Sequence, residues 1–414
     1  MPNGDAGGNH VKKHFFGAYA GLPREVYFLF AARLVNSMGY FVTPLLTLIL
    51  TQKIGMSKAE AGTTVAFLLL TQAPCVLLGG KLADVIGRKK TLLLGSLAGA
   101  AFYLLCGFGL TGRTLIDGII LAADCTALSV PASDALLADL TKPKERQSAY
   151  SLLYLGVNVG MAASPLIGGL LFNSHLSLLF ILDAMTTFAA VLIVAVNVPE
   201  TFSGRKTTEK ETIPISLYAA LRRAPVIAGF VFLLFLYDFS YSQVNFMLPA
   251  QFGDLFAGDG ARLYSILSSA NAVTVIVMTP LITSLTRRLR PLRAVALAGI
   301  FYIASYIGFC AGGTFPFYFL LMVVFTLGEI CTATQVGAFI SNRAPQDCLG
   351  RINAFSTLMR GSSAALGPLL MGQLLMAWDY PAGWLVTAGA ALAAAVGFVL
   401  LDRRDRPAGE IRAR

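Results

Sequence analysis

Charge is scarce in this sequence. Asp, Glu, Lys and Arg make up 13% of 414 residues and hydrophobic residues 56%, whereas ordinary soluble domains carry about 25% charged residues. Such a chain is not composed for water. Histidine is scarcer still: His10, His14 and His175 lie in the N-terminal tail or a loop and form no metal set. Of the six cysteines, Cys75, Cys106, Cys125, Cys310 and Cys331 sit in apolar runs and Cys348 in a loop, so no disulfide framework is implied. No Gly-x-x-x-x-Gly-Lys-Ser/Thr loop is present to cradle a nucleotide. Energy for any pumping therefore has to come from a gradient, with no cofactor and no metal. No enzyme site is visible. The first 24 residues are Gly-rich and polar, without the apolar core and small-residue cleavage site of a signal peptide. The first helix is expected to act as the membrane signal itself.

What the chain does have is long apolar runs. A hydrocarbon core of about 30 Å needs about 20 helical residues. Twelve blocks reach that length, near 26–50, 61–83, 91–111, 114–140, 148–171, 176–198, 225–249, 262–285, 293–312, 316–342, 351–377 and 380–401. The pattern predicts an all-α membrane protein with twelve transmembrane helices and no β-barrel strand. Gly and Pro inside several spans are tolerated, because neighbouring helices re-satisfy the freed backbone groups.

The net charge of +10 reads as topology. With both termini cytoplasmic, only Lys53, Lys58, Arg113 and Arg262 fall outside, and Arg33 and Arg360 fall within spans. All other Lys and Arg lie on inside segments, as the positive-inside rule demands. A nucleic-acid footprint would need a basic soluble domain, and none is present.

The chain also repeats itself. A shift of 205 residues carries Arg33 to Asp238, Pro44 to Pro249, Asp124 to Glu329, and Ala149-Tyr150 to Ala354-Phe355. With a slip of two, Pro165 falls on Pro368 and Gly169 on Gly372. Six helices look duplicated. The expected organisation is a cytoplasmic tail (1–24), a six-helix bundle (25–199), a polar cytoplasmic linker (200–224), a second bundle (225–401) and a cytoplasmic tail (402–414). Two such halves with a site between them near the midplane are one solution for alternating access.

The loop after the second helix reads Gly80-Lys-Leu-Ala-Asp84-Val-Ile-Gly87-Arg88-Lys89-Lys90. It resembles the signature loop of the major facilitator superfamily, departing from it at Val85, where that family usually has a basic residue. The resemblance runs over nearly the whole chain and implies that this loop latches the two halves in one state. Asp84 can pair with Arg88 or face a helix N-terminus, and Gly87 permits the turn. By resemblance, Asp139 at the end of the fourth helix is the partner of Arg88, with Gly80 and Lys89 completing the latch.

Helix five carries Gly156-x-x-x-Gly160-x-x-x-Ser164-Pro165-x-x-Gly168-Gly169. It is similar to the motif that marks exporters of the superfamily, with Ser164 in place of a glycine. Small residues four apart let helix backbones approach closely. The alternative is ordinary small-residue packing.

Ionisable residues inside spans are costly and call for a purpose. Asp238 and Glu329 lie about thirteen residues into helices seven and ten. Asp238, Tyr241, Ser242 and Asn245 form one polar stripe at i, i+3, i+4 and i+7. Thr326, Glu329 and Thr332 share a face. Burial disfavours the charged form of a carboxyl, so such an acid can exchange a proton as a cavity opens and closes. The stretch Thr326–Ile330, with Asp238, resembles a lactococcal multidrug:proton antiporter of the superfamily, which implies proton coupling and cationic-drug binding. Asp124, repeat-mate of Glu329, is a third candidate. Arg33 shares a stripe with Asn36, Ser37 and Tyr40. Structural pairing stays open for Asp238 or Glu329 with Arg360 and for Arg33 with Asp134.

These readings predict a secondary transporter of the cell (inner) membrane. Its expected work is proton-coupled efflux of amphiphilic or cationic small molecules. A proton symporter importing a metabolite, and a transporter-like sensor or lipid flippase, are the alternatives. Expected partners are a small-molecule substrate, protons and membrane lipids, with no nucleic acid and with a monomer as the working unit.

Overall fold

A computed structural model describes residues 19–142, 144–202, 221–222, 225–344 and 349–405. Most of the expected linker and tails, with His10, His14 and Cys348, lies outside these described residues.

In hydrocarbon every backbone N–H and C=O must be satisfied within the protein, which favours helix for an apolar run. All twelve runs are helical: α1 (Arg24–Lys53, interrupted), α2 (Lys58–Val85), α3 (Arg88–Phe108), α4 (Gly112–Leu140), α5 (Arg146–Leu171), α6 (Leu176–Asn197), α7 (Pro225–Leu255), α8 (Gly260–Thr286), α9 (Pro291–Ala311), α10 (Phe315–Arg343), α11 (Leu349–Ala377) and α12 (Tyr380–Arg404). Eleven are long and apolar enough to cross a membrane; α11 is as long but more polar, with Asn353, Ser356 and Arg360 along it. No strand occurs among the described residues. Large apolar side chains such as Leu77, Phe108 and Val196 are more than 70% exposed, as a lipid-facing surface requires.

The first span is not the single helix the sequence predicts. It stops at Met38, resumes at Val42 and ends in a π-wound turn, Ile49–Lys53. A Cβ on Gly39 would lie 1.6 Å from Thr186 Oγ1, so α1 docks directly on α6 at the break. The N–H groups of Val42 and Phe41 donate to the carboxylate of Asp183 on α6, which is only 6% exposed. Pro44 then falls in the first turn of the new segment, where its missing N–H costs nothing.

Internal contacts group the chain into two compact units. The first holds the chain to Val42, Gln72–Ser164 and the segment from Ser174 to the end of the first half. There α3 packs on α4 and α6, and α1 on α6. Its core joins Val26, Leu29, Leu136, Leu137, Leu153 and Val194. The second unit holds Thr43–Thr71, Pro165–Asn173 and the second half. In it α9 packs on α10 and α12, α7 on α11 and α12, and α8 on α10. Trp384 is fully buried between Tyr306 and Phe309, and its indole N–H donates to Gln251 at 2.7 Å.

On the side opposite the termini, this second unit binds the ends of α1, α2 and α5 to second-half helices. Lys58 Nζ lies 2.8 Å from Asp254 and 4.4 Å from the centre of the Tyr380 ring, and Tyr380 donates to Asp254 at 2.7 Å. A Cβ on Gly62 would stand 2.2 Å from the Pro368 carbonyl oxygen, and one on Gly372 would stand 2.6 Å from the Lys58 carbonyl oxygen. Gly169 approaches Ser265 on α8 in the same way.

Candidate functional site

The second unit encloses a cavity of about 490 Å³ walled by α7, α9, α10 and α11. Four of the sequence-predicted residues meet in it: Asp238 and Tyr241 from α7, Glu329 from α10 and Arg360 from α11. Arg360 Nε donates to Asp238 Oδ2 at 2.8 Å and Nη2 donates to Oδ1 at 3.3 Å. This two-point pair has the fork geometry that makes guanidinium–carboxylate contacts strong. Asp238 is therefore held by an opposite charge, the pairing that the sequence left open.

Glu329 is held differently. Tyr241 Oη donates to Oε1 at 3.1 Å, and Asn271 Nδ2, from α8, donates to Oε2 at 2.7 Å. The Asn271 amide also reaches Thr326 Oγ1 at 2.9 Å. Both oxygens thus meet neutral donors, with no ion pair to Glu329 among the described residues. Aromatic rings surround it. Phe325 lies 5.4 Å from Tyr241 and 5.2 Å from Tyr302, which lines the cavity with Thr332. A carboxylate among π-faces is chemically suited to a lipophilic cation, and a neutral carboxyl could keep one of its two hydrogen bonds as acceptor.

The helix-seven stripe is only half realised. Ser242 turns away from the cavity, donates to the Phe239 carbonyl at 2.8 Å and packs where Gly367 of α11 leaves room. Asn245 is exposed and does not line the cavity; its carbonyl accepts from Thr47 at 3.4 Å. Helix contact, more than polarity, sets which of these residues face inward.

The first unit has a smaller cavity, about 80 Å³, between α1, α3, α4 and α6. Arg33 and Asn36 line it. Arg33 sits 3.8 Å from Asp134 and 3.4 Å from Ser133 Oγ, and Asn36 accepts from Thr187 at 2.9 Å. Tyr40 lies in the α1 break and is 39% exposed, outside this lining. Asp124 is half-buried and interacts electrostatically with Cys75 of α2; it too lies outside this lining.

At the α2–α3 turn, Arg88 Nε lies 2.6 Å from Asp139 and Arg88 Nη2 lies 3.9 Å from the exposed Asp84. Lys89 Nζ donates to the Ala195 carbonyl at 2.7 Å. Gly87 has φ +114°, a backbone region that L side chains rarely adopt. Glu200, which the sequence assigns to the linker, instead caps α3. Its carboxylate accepts from the N–H groups of Arg88 (2.9 Å), Lys89 (3.2 Å) and Lys90 (3.1 Å). Burial alone would push this carboxyl up, but the backbone donors of Lys90, Lys89, Phe202 and Arg88 outweigh it and hold the group below its ordinary value. Thr201 then donates to Asp139 at 2.8 Å. The close backbone approach here belongs to Gly79, one residue before the motif, where a Cβ would come within 2.1 Å of the Leu128 carbonyl oxygen. At Gly80 a Cβ would only touch Pro131, at 4.0 Å.

On α5, Ser164, Pro165, Gly168 and Gly169 are all buried. A Cβ on Gly160 would fall 2.5 Å from Ser37 Cβ of α1. The small residues thus serve helix approach.

Three residues escaped the sequence reading: Asn271, Asp183 and Glu200. Asp183 carried a signal, as a lone acid in a strongly apolar run. Asn271 and Glu200 had none beyond their polarity.

A family model of the Major Facilitator Superfamily matches residues 29–368. Among curated relatives, the chain is similar to an uncharacterised MFS-type transporter, YhjO, of Bacillus subtilis, at 25% identity over 84% of this chain and 85% of the relative. It is similar to a Na(+), Li(+), K(+)/H(+) antiporter of Planococcus maritimus at 24% identity, covering 89% and 92%. It also matches the multidrug resistance protein MdtH of Aeromonas hydrophila at 23%, covering 85% and 90%. Among solved structures, a POT family transporter in complex with 5-aminolevulinic acid superposes with TM-score 0.79 at 14% identity, covering 93% and 97%. The nucleoside transporter NupG does so with TM-score 0.77 at 13%, covering 91% and 100%. With eleven helices among the described residues long and apolar enough to cross a membrane, and a family match over most of its length, this chain belongs to the major facilitator superfamily and is a multi-pass membrane protein of secondary transport.

Proposed function

We propose that this transporter exports amphiphilic or cationic small molecules in exchange for protons. The observation that carries the reading is Glu329: both carboxylate oxygens are held by neutral donors, Tyr241 and Asn271, against aromatic rings, while Asp238 is neutralised by Arg360. The cavity then holds one uncompensated carboxylate. A cation entering beside Tyr241 and Tyr302 takes the place of the proton on Glu329, and a proton arriving from the other side displaces it. Supporting this are the small-residue face of α5, which is similar to the exporter motif, and the antiporter and multidrug names among relatives.

In this reading the termini are cytoplasmic and the duplicated halves are 25–199 and 225–401. The Lys58–Asp254–Tyr380 contact closes the outer side. Arg88, Asp139 and the α2–α3 turn act as the inner latch. The same exchange needs no cofactor beyond the proton gradient.

The test is proton release on binding. In weakly buffered detergent solution, tetraphenylphosphonium added to the wild-type protein releases about one proton per molecule bound, and Glu329→Gln binds without release. Binding by wild type with no proton release would overturn the proton-exchange reading.

A further inference from the structure

Away from both cavities, the membrane face of the second unit has a groove of about 580 Å³ between α9 and α12. Its walls are apolar. Ile300 of α9 and Val396, Val399 and Leu400 of α12 are between 43% and 63% exposed, so the groove opens toward the membrane. The helices touch at its base, where a Cβ on Gly299 would lie 2.5 Å from the Ala395 Cβ. Along α9 it runs from Arg293 to Ile300, about 10 Å at 1.5 Å per residue.

Only the end on the termini side is polar, and it is formed by Arg293 and Arg403. Arg293 is half-exposed and engages Asp402 at 2.8 Å through Nε. Asp402 itself is buried and shared with Arg290 at 3.3 Å. Asp405 pairs with Arg343. Near this mouth, among the described residues, Arg290 and Arg293 share Asp402 and Arg343 takes Asp405, while Arg403 has no ion pair. Positive charge is left over where the groove meets the headgroup level.

We propose that this groove binds one anionic phospholipid. One acyl chain lies along the Ile300, Val396 and Val399 wall, and the headgroup phosphate is held between Arg293 and Arg403. Guanidinium groups match phosphate oxygens by paired N–H donors, and basic pockets beside membrane helices select anionic headgroups. A choline or ethanolamine headgroup would bring its own cation against the same arginines. The proposal requires only that the chain spans the membrane and is independent of substrate and direction of transport.

The experiment is native mass spectrometry of the delipidated full-length protein, titrated with phosphatidylglycerol or with phosphatidylcholine of identical chains. The expected result is one phosphatidylglycerol retained at least tenfold more tightly than phosphatidylcholine. Arg403→Gln and Arg293→Gln each weaken it about fivefold, while Arg288→Gln, an exposed arginine of the same end outside the groove, leaves it unchanged. Val396→Trp, which fills the groove without touching charge, weakens both lipids. Arg403→Gln and Val396→Trp alter exposed positions only, so they remain informative if Arg293→Gln disturbs the Asp402 pair. Equal retention of the two lipids would overturn the site. So would a loss in Arg288→Gln as large as in Arg403→Gln, or retention unaffected by Val396→Trp.

Discussion

Removing Asp238 and Arg360 together should be milder than removing Asp238 alone. Asp238, Arg360 and Glu329 give the cavity one net negative charge when Glu329 is ionised. Asp238→Asn frees the Arg360 guanidinium, whose side chain is 53% exposed to the cavity. A cation about 7 Å away then feels about 2 kcal/mol of repulsion at an effective dielectric constant near 20. Solvent in the cavity lowers that figure, so the affinity for tetraphenylphosphonium is expected to fall about 10- to 30-fold. Arg360→Gln alone leaves two carboxylates and should tighten or maintain binding. The double variant Asp238→Asn/Arg360→Gln restores the single charge of Glu329 and should bind within about threefold of wild type, giving a coupling energy of order 1–2 kcal/mol. Equilibrium binding to the four purified proteins of the cycle reads this directly. If the double variant binds as poorly as Asp238→Asn, Asp238 meets the substrate itself and the charge-balance reasoning fails.

Four further outcomes follow from the geometry. Glu200→Ala removes the acceptor for three N–H groups of α3 and should cost about 0.5–2 kcal/mol of stability, read as a lower melting temperature of the detergent-solubilised protein; no difference from Asp84→Ala would contradict the cap. Because the Glu200 carboxyl is held below its ordinary value, its stabilisation is complete above the unfolded carboxyl's pKa, about 4.3, and is lost as pH falls through the lower folded value. The melting temperatures of wild type and Glu200→Ala should therefore converge below about pH 4 and separate above it. Asp254→Asn breaks the Lys58 pair and weakens the Tyr380 contact, so a cysteine placed at Thr47, only 2% exposed, should react severalfold faster with a water-soluble maleimide; an unchanged rate would show that the pair does not hold that side closed. Gly160→Leu forces a side chain into Ser37 of α1 and should reduce transport at least tenfold while Gly80→Ala, which only touches Pro131 at 4.0 Å, leaves it near wild type.

Helices were legible because the bilayer permits an apolar run little else, and Arg88–Asp139 was legible only through the resemblance of the α2–α3 loop to the signature loop of the superfamily. The interruption of α1 was not: Gly39 and Tyr40 look ordinary in sequence, and only the docking of Gly39 on Thr186 and the buried Asp183 carboxylate make a break there stable. The polar stripe of α7 was half legible, since Asp238 and Tyr241 face the cavity and Ser242 faces α11. Periodicity gives the face but not the neighbour. Asn271 was illegible because one amide in an apolar helix is common, and its importance lies in a 2.7 Å contact with a residue 58 positions away. Glu200 read as the first charge of a linker because its role as a cap depends on α6 ending beside the start of α3.

The central claim is that Glu329 exchanges a proton for the exported cation. Liposomes carrying the purified protein and a lumenal pH dye, with an imposed proton gradient, test it most directly when lipophilic cations are added. The account predicts that tetraphenylphosphonium discharges the gradient through the wild-type protein and not through Glu329→Gln, while Glu329→Gln still binds the lipid of the α9–α12 groove as a sign of native folding. Cation-linked proton flux that survives in Glu329→Gln would contradict it.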